Sequence, residues 1–126
     1  MESNMVGWFE IPVQDMDRAK KFYDAVFDID IQVQNFNELL MGWFPFAENK
    51  MGSSGSLVQH AANYQPSETK GPLLYFSCKE VTYNLGKIEA AGGRIIQSKT
   101  LISDDVGYMA VFIDTEGNRI ALHSRS

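Results

Sequence analysis

Few side chains in this sequence could take part in chemistry, and the pair that stands out is Trp8 and Glu10 in "GWFEIPV". Successive residues of a strand point to opposite faces, so Trp8 and Glu10 share one face and Phe9, Ile11 and Val13 the other. A carboxylate beside an indole could orient a ligand or move a proton in an aromatic pocket. It could equally sit solvated at a rim, since a carboxylate facing a concavity must be solvated, paired or used. The chain has two histidines. His123 could be the acid–base partner of Glu10, or could simply trail off a C-terminal strand. His60 lies beside a polar linker and is expected to be exposed. The one cysteine, Cys78, falls on the apolar side of its strand, where an inert buried thiol is expected rather than a nucleophile. "GSSGS" (52–56) lacks the Lys and following helix of a phosphate loop and reads as a turn. The Asp104-Asp105 pair reads as a solvated loop, and no nucleophile–His–Asp signature occurs.

Positioning these groups falls to one domain, since 126 residues suffice for a single core and not for two. Apolar residues make up 44%, and no apolar run reaches the length of a membrane span. The first residues lack a basic segment followed by an apolar one, so no signal peptide is expected. A lone cysteine excludes an internal disulfide framework and suits a reducing cytoplasm. A net charge of −5 disfavours nucleic acid, which needs a basic face, and inclines the protein only weakly toward cationic ligands.

The sequence repeats itself at an offset of 65 residues, with no gap needed. Phe9, Ile11 and Val13 fall on Leu74, Phe76 and Cys78; Met16 on Val81; Tyr23 on Ile88; Gly42 on Gly107; Gly52 on Gly117; Leu57 on Leu122. The pattern predicts unit 6–60 and unit 72–125, joined by a Pro-, Ser- and Gly-containing linker at 61–71. Each unit reads as strand, helix and three strands. The first strands are Trp8 to Val13 and Leu73 to Cys78. In the first helix Asp15 or Asp17 can cap a stripe of Met16, Ala19, Phe22, Tyr23 and Val26. In the second, Val81, Leu85, Ile88 and Ala91 form the stripe and Gly92-Gly93 stops it, with Gly86 an internal weakness of about 1 kcal/mol. The remaining strands are expected at 29–36, 38–46 and 55–60, then 94–101, 107–113 and 119–124.

Two βαβββ units in one short chain resemble the vicinal oxygen chelate superfamily, which includes glyoxalase I, extradiol dioxygenases, and fosfomycin- and bleomycin-resistance proteins. The segments that carry the resemblance are "FEIPVQDMDRAKKFYDAVF", "KIEAAGGRII" and "DTEGNRIALHS". It implies an α+β fold spanning 1–126, a cup-shaped eight-stranded mixed sheet with the helices outside. It also implies four ligand slots in metal-using members, one near the start of each unit's first strand and one in each unit's last strand. Those slots fall here on Trp8, Leu73, Ser56 and Ala121, none a competent ligand beyond a weak hydroxyl. Glu10 and His123, two residues away, would supply two ligands where a catalytic metal usually has three.

The expectation is therefore a cytoplasmic, bleomycin-resistance-like protein that binds a small organic molecule without a metal cofactor. Its pocket would be lined by Trp8, Glu10, Ser56, Leu73, Tyr75, Met109, Ala121 and His123, with Glu10 and His123 the candidate catalytic or anchoring pair. The resemblance also implies a homodimer with a C₂ interface. The alternative is a lyase or isomerase related to lactoylglutathione lyase, using zinc, nickel, manganese or iron with Glu10 and His123.

Overall fold

The first strand turns into the first helix because every amide at the junction has an acceptor. In the computed structural model, which describes residues 2–126, β1 (Phe9–Pro12) leads into α1 (Met16–Phe27). Asp15 is the cap, and its carboxylate accepts from the Arg18 N–H at 3.1 Å. The Met16 N–H donates to Oε1 of Gln59 at 2.7 Å. The Gln14 and Asp15 amides both donate to Oε1 of Glu116, at 2.9 and 2.8 Å. The stripe Met16, Ala19, Phe22, Tyr23 and Val26 is buried, as its spacing predicts. Asp28 ends the helix in the left-handed region that short polar side chains tolerate.

The second helix is shorter than its stripe. α2 spans Val81–Leu85, started by Glu80, whose carboxylate accepts from the Tyr83 N–H at 3.2 Å. Beyond Leu85 the chain continues in turns, with Lys87 and Ile88 donating three residues back, to Asn84 and Leu85. Gly86 costs the helix about 1 kcal/mol, and a segment this short has little propagation to offset it. Ile88 stays fully buried, so the stripe still packs although the helix does not run its length.

The strands form two four-stranded mixed sheets, one from each consecutive set of four, rather than one continuous ladder. β1 joins β2 (Gln32–Phe36), β3 (Leu39–Trp43) and β4 (Gly55–Gln59) in the order β1-β4-β3-β2. β5 (Leu74–Ser77) joins β6 (Arg94–Ser103), β7 (Gly107–Ile113) and β8 (Arg119–Ser124) in the order β5-β8-β7-β6. β1 runs parallel to β4 and β5 parallel to β8; the other pairings are antiparallel. The first-unit strands expected at 29–36 and 38–46 are shorter than the alternation suggests, whereas 107–113 and 119–124 are observed as expected.

The strand register tests the repeat residue by residue. Phe9 faces Gly55 and Leu74 faces Ile120, each member of the second pair 65 residues after its counterpart in the first. The Val13 N–H donates to the Val58 carbonyl and the Cys78 N–H to that of His123, again at that offset. The third strands depart from it. Gly42 faces Leu57, whereas Leu122 faces Ala110, which lies 68 residues beyond Gly42. Gly42 therefore matches Ala110 and not Gly107, and three extra residues lie in the loop between β3 and β4. Gly55 and Ser56 of the "GSSGS" stretch belong to β4; only 52–54 lie in the loop. At Gly55 a Cβ would collide with the Phe9 carbonyl, so a side chain there would push β4 off β1.

The core lies between the sheets and the helices and joins both halves. Phe9, Tyr23, Phe27, Phe44 and Phe76 form one aromatic cluster, with Phe9 edge-on to Phe76 at 5.5 Å between ring centroids. Phe22 of α1 meets Phe112 of β7 at 5.7 Å. The turn between β7 and β8 then grips α1. The Glu116 side chain has no exposed surface, and besides the two amides it accepts from Arg18 Nε at 2.7 Å and from the Thr115 hydroxyl at 2.9 Å. Asp114 accepts from the buried Tyr23 hydroxyl at 2.6 Å and from the amides of Glu116 and Asn118, both at 2.9 Å.

Burial alone would push Glu116 up, but Arg18, the two amides and Thr115 outweigh it and hold the carboxyl below its ordinary value. Such a group adds stability that is complete above its unfolded pKa and is lost as pH falls through its folded one. Asp114 runs the other way, because burial raises it despite its hydrogen bonds. Glu116→Ala should cost about 2–4 kcal/mol in chemical denaturation at neutral pH, since buried donors lose their acceptor. The gap to wild type should narrow as pH falls below about 4.3, where free glutamate protonates.

Candidate functional site

A cleft of about 480 Å³ opens along β1, within the usual range of small-molecule sites. Trp8, Glu10 and Pro12 line it from the β1 side, and Gln65, Ser67, Lys70 and Pro72 from the segment between β4 and β5. Leu74 contributes from β5, and Asn118, Arg119 and Ile120 from the start of β8. Its floor is tied down. Nδ2 of buried Asn118 donates to the Pro12 carbonyl at 2.7 Å and to Oδ2 of Asp114 at 3.0 Å, joining the start of β8 to the end of β1.

Trp8 and Glu10 meet as the strand alternation predicts. Trp8 is 47% exposed, and its Nε1–H donates to Oε2 of Glu10 at 3.4 Å. The other carboxylate oxygen accepts from the Tyr64 hydroxyl at 2.6 Å. Glu10 is thus held by two donors from different segments, with its indole neighbour left open to the cleft. Tyr64 feels this contact: the Glu10 hydrogen bond first, then desolvation and the Glu10 charge, raises its phenol above the ordinary value. Tyr64 lies in a linker without periodicity, so no sequence pattern marks it. Lys70 is hidden in the same way. Arg119 sits in a strand whose alternation places it on the face of Ala121 and His123, which is the signal that could have found it.

The other sequence-predicted residues are placed separately. In the strand register Glu10 faces Ser56, and Ser56 faces Trp43, so the three form one row on the sheet face away from the helices. Ser56 is fully buried in that row, its hydroxyl donating to the Leu57 carbonyl at 2.7 Å. Ala121 is likewise fully buried and faces Tyr75, which is 52% exposed. Met109 and His123 face each other across β7 and β8, both half-buried. Nε2 of His123 lies 2.7 Å from the Val106 carbonyl oxygen, so His123 and Glu10 have different partners and share no hydrogen bond. Leu73 is half-buried, and although Pro72 and Leu74 on either side line the cleft, Leu73 does not.

His60 is half-buried instead of exposed. Its ring lies 6.3 Å from that of Tyr64, and Nδ1 is enclosed without a partner among the described residues. Cys78 is the quiet thiol its strand position predicts, pushed up to about 11 chiefly by burial. Among the described residues no three His, Cys, Asp or Glu side chains come together as a possible metal site. The four slots the resemblance implies for a divalent metal thus hold an indole, a hydroxyl and two aliphatic groups, and the donor set does not fit such an ion. No helix among the described residues is long and apolar enough to cross a membrane.

The family model for the Glyoxalase/Bleomycin resistance protein/Dioxygenase superfamily matches residues 5–122. No curated protein matches the chain. Among solved structures, the antibiotic binding protein TnmS3 from Streptomyces sp. CB03234 is 25% identical over 100% of this chain and 99% of its own, with a TM-score of 0.71. A glyoxalase/bleomycin resistance protein from Albidiferax ferrireducens T118 is 21% identical over 97% and 100%, with a TM-score of 0.74. Glyoxalase I from Zea mays is 17% identical with a TM-score of 0.71; the match covers 94% of this chain and 45% of that one, so this chain spans about half the length of the maize enzyme.

The Tyr64 contact can be read directly. Glu10→Gln should bring the Tyr64 phenol down toward its ordinary value of about 10. Ultraviolet tyrosinate titration follows this, with Tyr64→Phe identifying the signal. An unchanged titration would mean that the carboxylate does not hold the phenol.

Proposed function

The chain belongs to the glyoxalase/bleomycin resistance protein/dioxygenase superfamily, and we propose that it is a binding member, holding a small organic molecule in the cleft along β1 without a resident divalent metal. The observation that carries this reading is the pairing of a half-exposed Trp8 with a Glu10 fixed by two donors at one wall of the cleft. An indole face supplies stacking area, and a carboxylate already oriented by Trp8 and Tyr64 offers an acceptor in a set direction at little further entropic cost. The residues standing at the metal slots support the absence of Lewis-acid chemistry, and a relative of the same length that binds an antibiotic supports binding as a use of this fold. Glu10 serves as an anchor here. His123, engaged by the Val106 carbonyl, takes no step. Within this reading the protein works in the cytoplasm, where its one cysteine needs no partner.

The reading is tested by a thermal-shift screen of wild type and Trp8→Ala. Compounds that stabilise wild type should bind the variant about threefold to tenfold more weakly, the scale of a lost aromatic contact. A broad library that shifts neither protein would contradict it. We also propose a C₂ homodimer, supported by the exposed Phe36 and Trp43 rings, 6.4 Å apart on the open sheet face. Light scattering at micromolar concentration should give the dimer mass; a monomer there would contradict the pairing.

A further inference from the structure

The charges around the cleft do not follow those of the chain. Of its eleven lysines and arginines, five pair with carboxylates: Arg18, Lys20, Lys87, Arg94 and Lys99. Lys70 and Arg119 are not among them, and neither side chain has a hydrogen-bond acceptor among the described residues. Both line the cleft. The one carboxylate lining it, Glu10, is already engaged by Trp8 and Tyr64 and lies beyond ion-pair distance of either cation. A protein of net charge −5 thus keeps two unpaired cations and one occupied anion around this cleft.

Their placement suits recognition. Arg119 is the first residue of β8, its backbone held opposite Ile113 on β7. Its neighbour Ile120 packs toward the helices, so Arg119 projects from the opposite face. A guanidinium rooted in a strand loses less freedom on binding than one on a loop, and its planar fork suits a carboxylate or sulfonate. Trp8, Pro12, Pro72 and Leu74 give the cleft an apolar wall, and Gln65, Ser67 and Asn118 are its uncharged polar groups.

Resting on the reading of this cleft as a small-molecule site, we propose that its ligand is a planar apolar molecule carrying one acidic group. The body lies against Trp8 and the apolar wall, and the acid pairs with Lys70 and Arg119. The weak inclination to cationic ligands suggested by overall charge is thereby reversed at the cleft.

Two fluorescent probes of nearly equal shape test this: anilinonaphthalene sulfonate, an anion, and N-phenylnaphthylamine, which is neutral. Wild type should bind the anion about tenfold more tightly, the scale of charge-assisted hydrogen bonds, and added sodium chloride should weaken the anion selectively. Lys70→Gln/Arg119→Gln should abolish the gap between the probes, with circular dichroism confirming the fold. Equal binding of both probes to wild type, each weakened by Trp8→Ala, would overturn the assignment of an acidic ligand while leaving the binding site in place. Failure of both probes to bind, or binding of both untouched by Trp8→Ala, would overturn the site and this inference together.

Discussion

A single buried carboxylate sets the geometry on which the site depends. Glu116 takes the two amides ahead of α1, the Arg18 side chain and the Thr115 hydroxyl, and in doing so fastens the β7–β8 turn of the second half onto the first helix of the first half. Asp114 adds Tyr23 from the middle of α1. Asn118, bonded to Asp114, reaches the last carbonyl of β1. One turn therefore fixes where α1 begins, where β1 ends and where β8 starts. Since the cleft is bounded by β1 and the start of β8, its width is set by a hydrogen-bonded network centred on buried Glu116, Asp114 and Asn118, which tolerates little displacement. The two sheets share no ladder, so this network and the aromatic cluster around Phe9 and Phe76 hold the halves together.

That rigidity gives meaning to the open groups at the cleft. On the slot placement that the resemblance implies, Trp8 and its repeat partner Leu73 stand at positions where neither could ligate a metal. A cleft walled by an indole and an oriented carboxylate is the basis on which we propose holding a molecule over activating one. The fold alone does not decide between those uses, because it carries lyases and binding proteins alike.

Much of this could be read from the residues. The strand–helix start around Trp8–Phe27, the buried stripe of α1 and the last two strands follow from alternation, capping and the 3.6-residue period, where local preference and burial agree. The repeat places β1, β4, β5 and β8 to within one residue at each end. It failed at β3, because the matching glycines at 42 and 107 are coincidental and the three-residue insertion lies in a loop with no periodic signal. α2 is shorter than its stripe because the apolar spacing persists through turns beyond Gly86, where the helix ends, up to Gly92, which takes a positive φ. At the site, the face shared by Trp8 and Glu10 was legible from a period of two. Tyr64 and Lys70 were not, since they come from an irregular segment whose path only tertiary packing decides.

The indole N–H resonances of Trp8 and Trp43 offer the most direct test of a metal-independent ligand at β1. They would be recorded by nitrogen-edited NMR on protein stripped of metal with a chelator, before and after addition of a compound that raises its melting temperature. The account predicts that the Trp8 resonance moves on addition while that of Trp43 stays in place. A Trp8 resonance that does not respond, or that responds only after a divalent metal is restored, would contradict it.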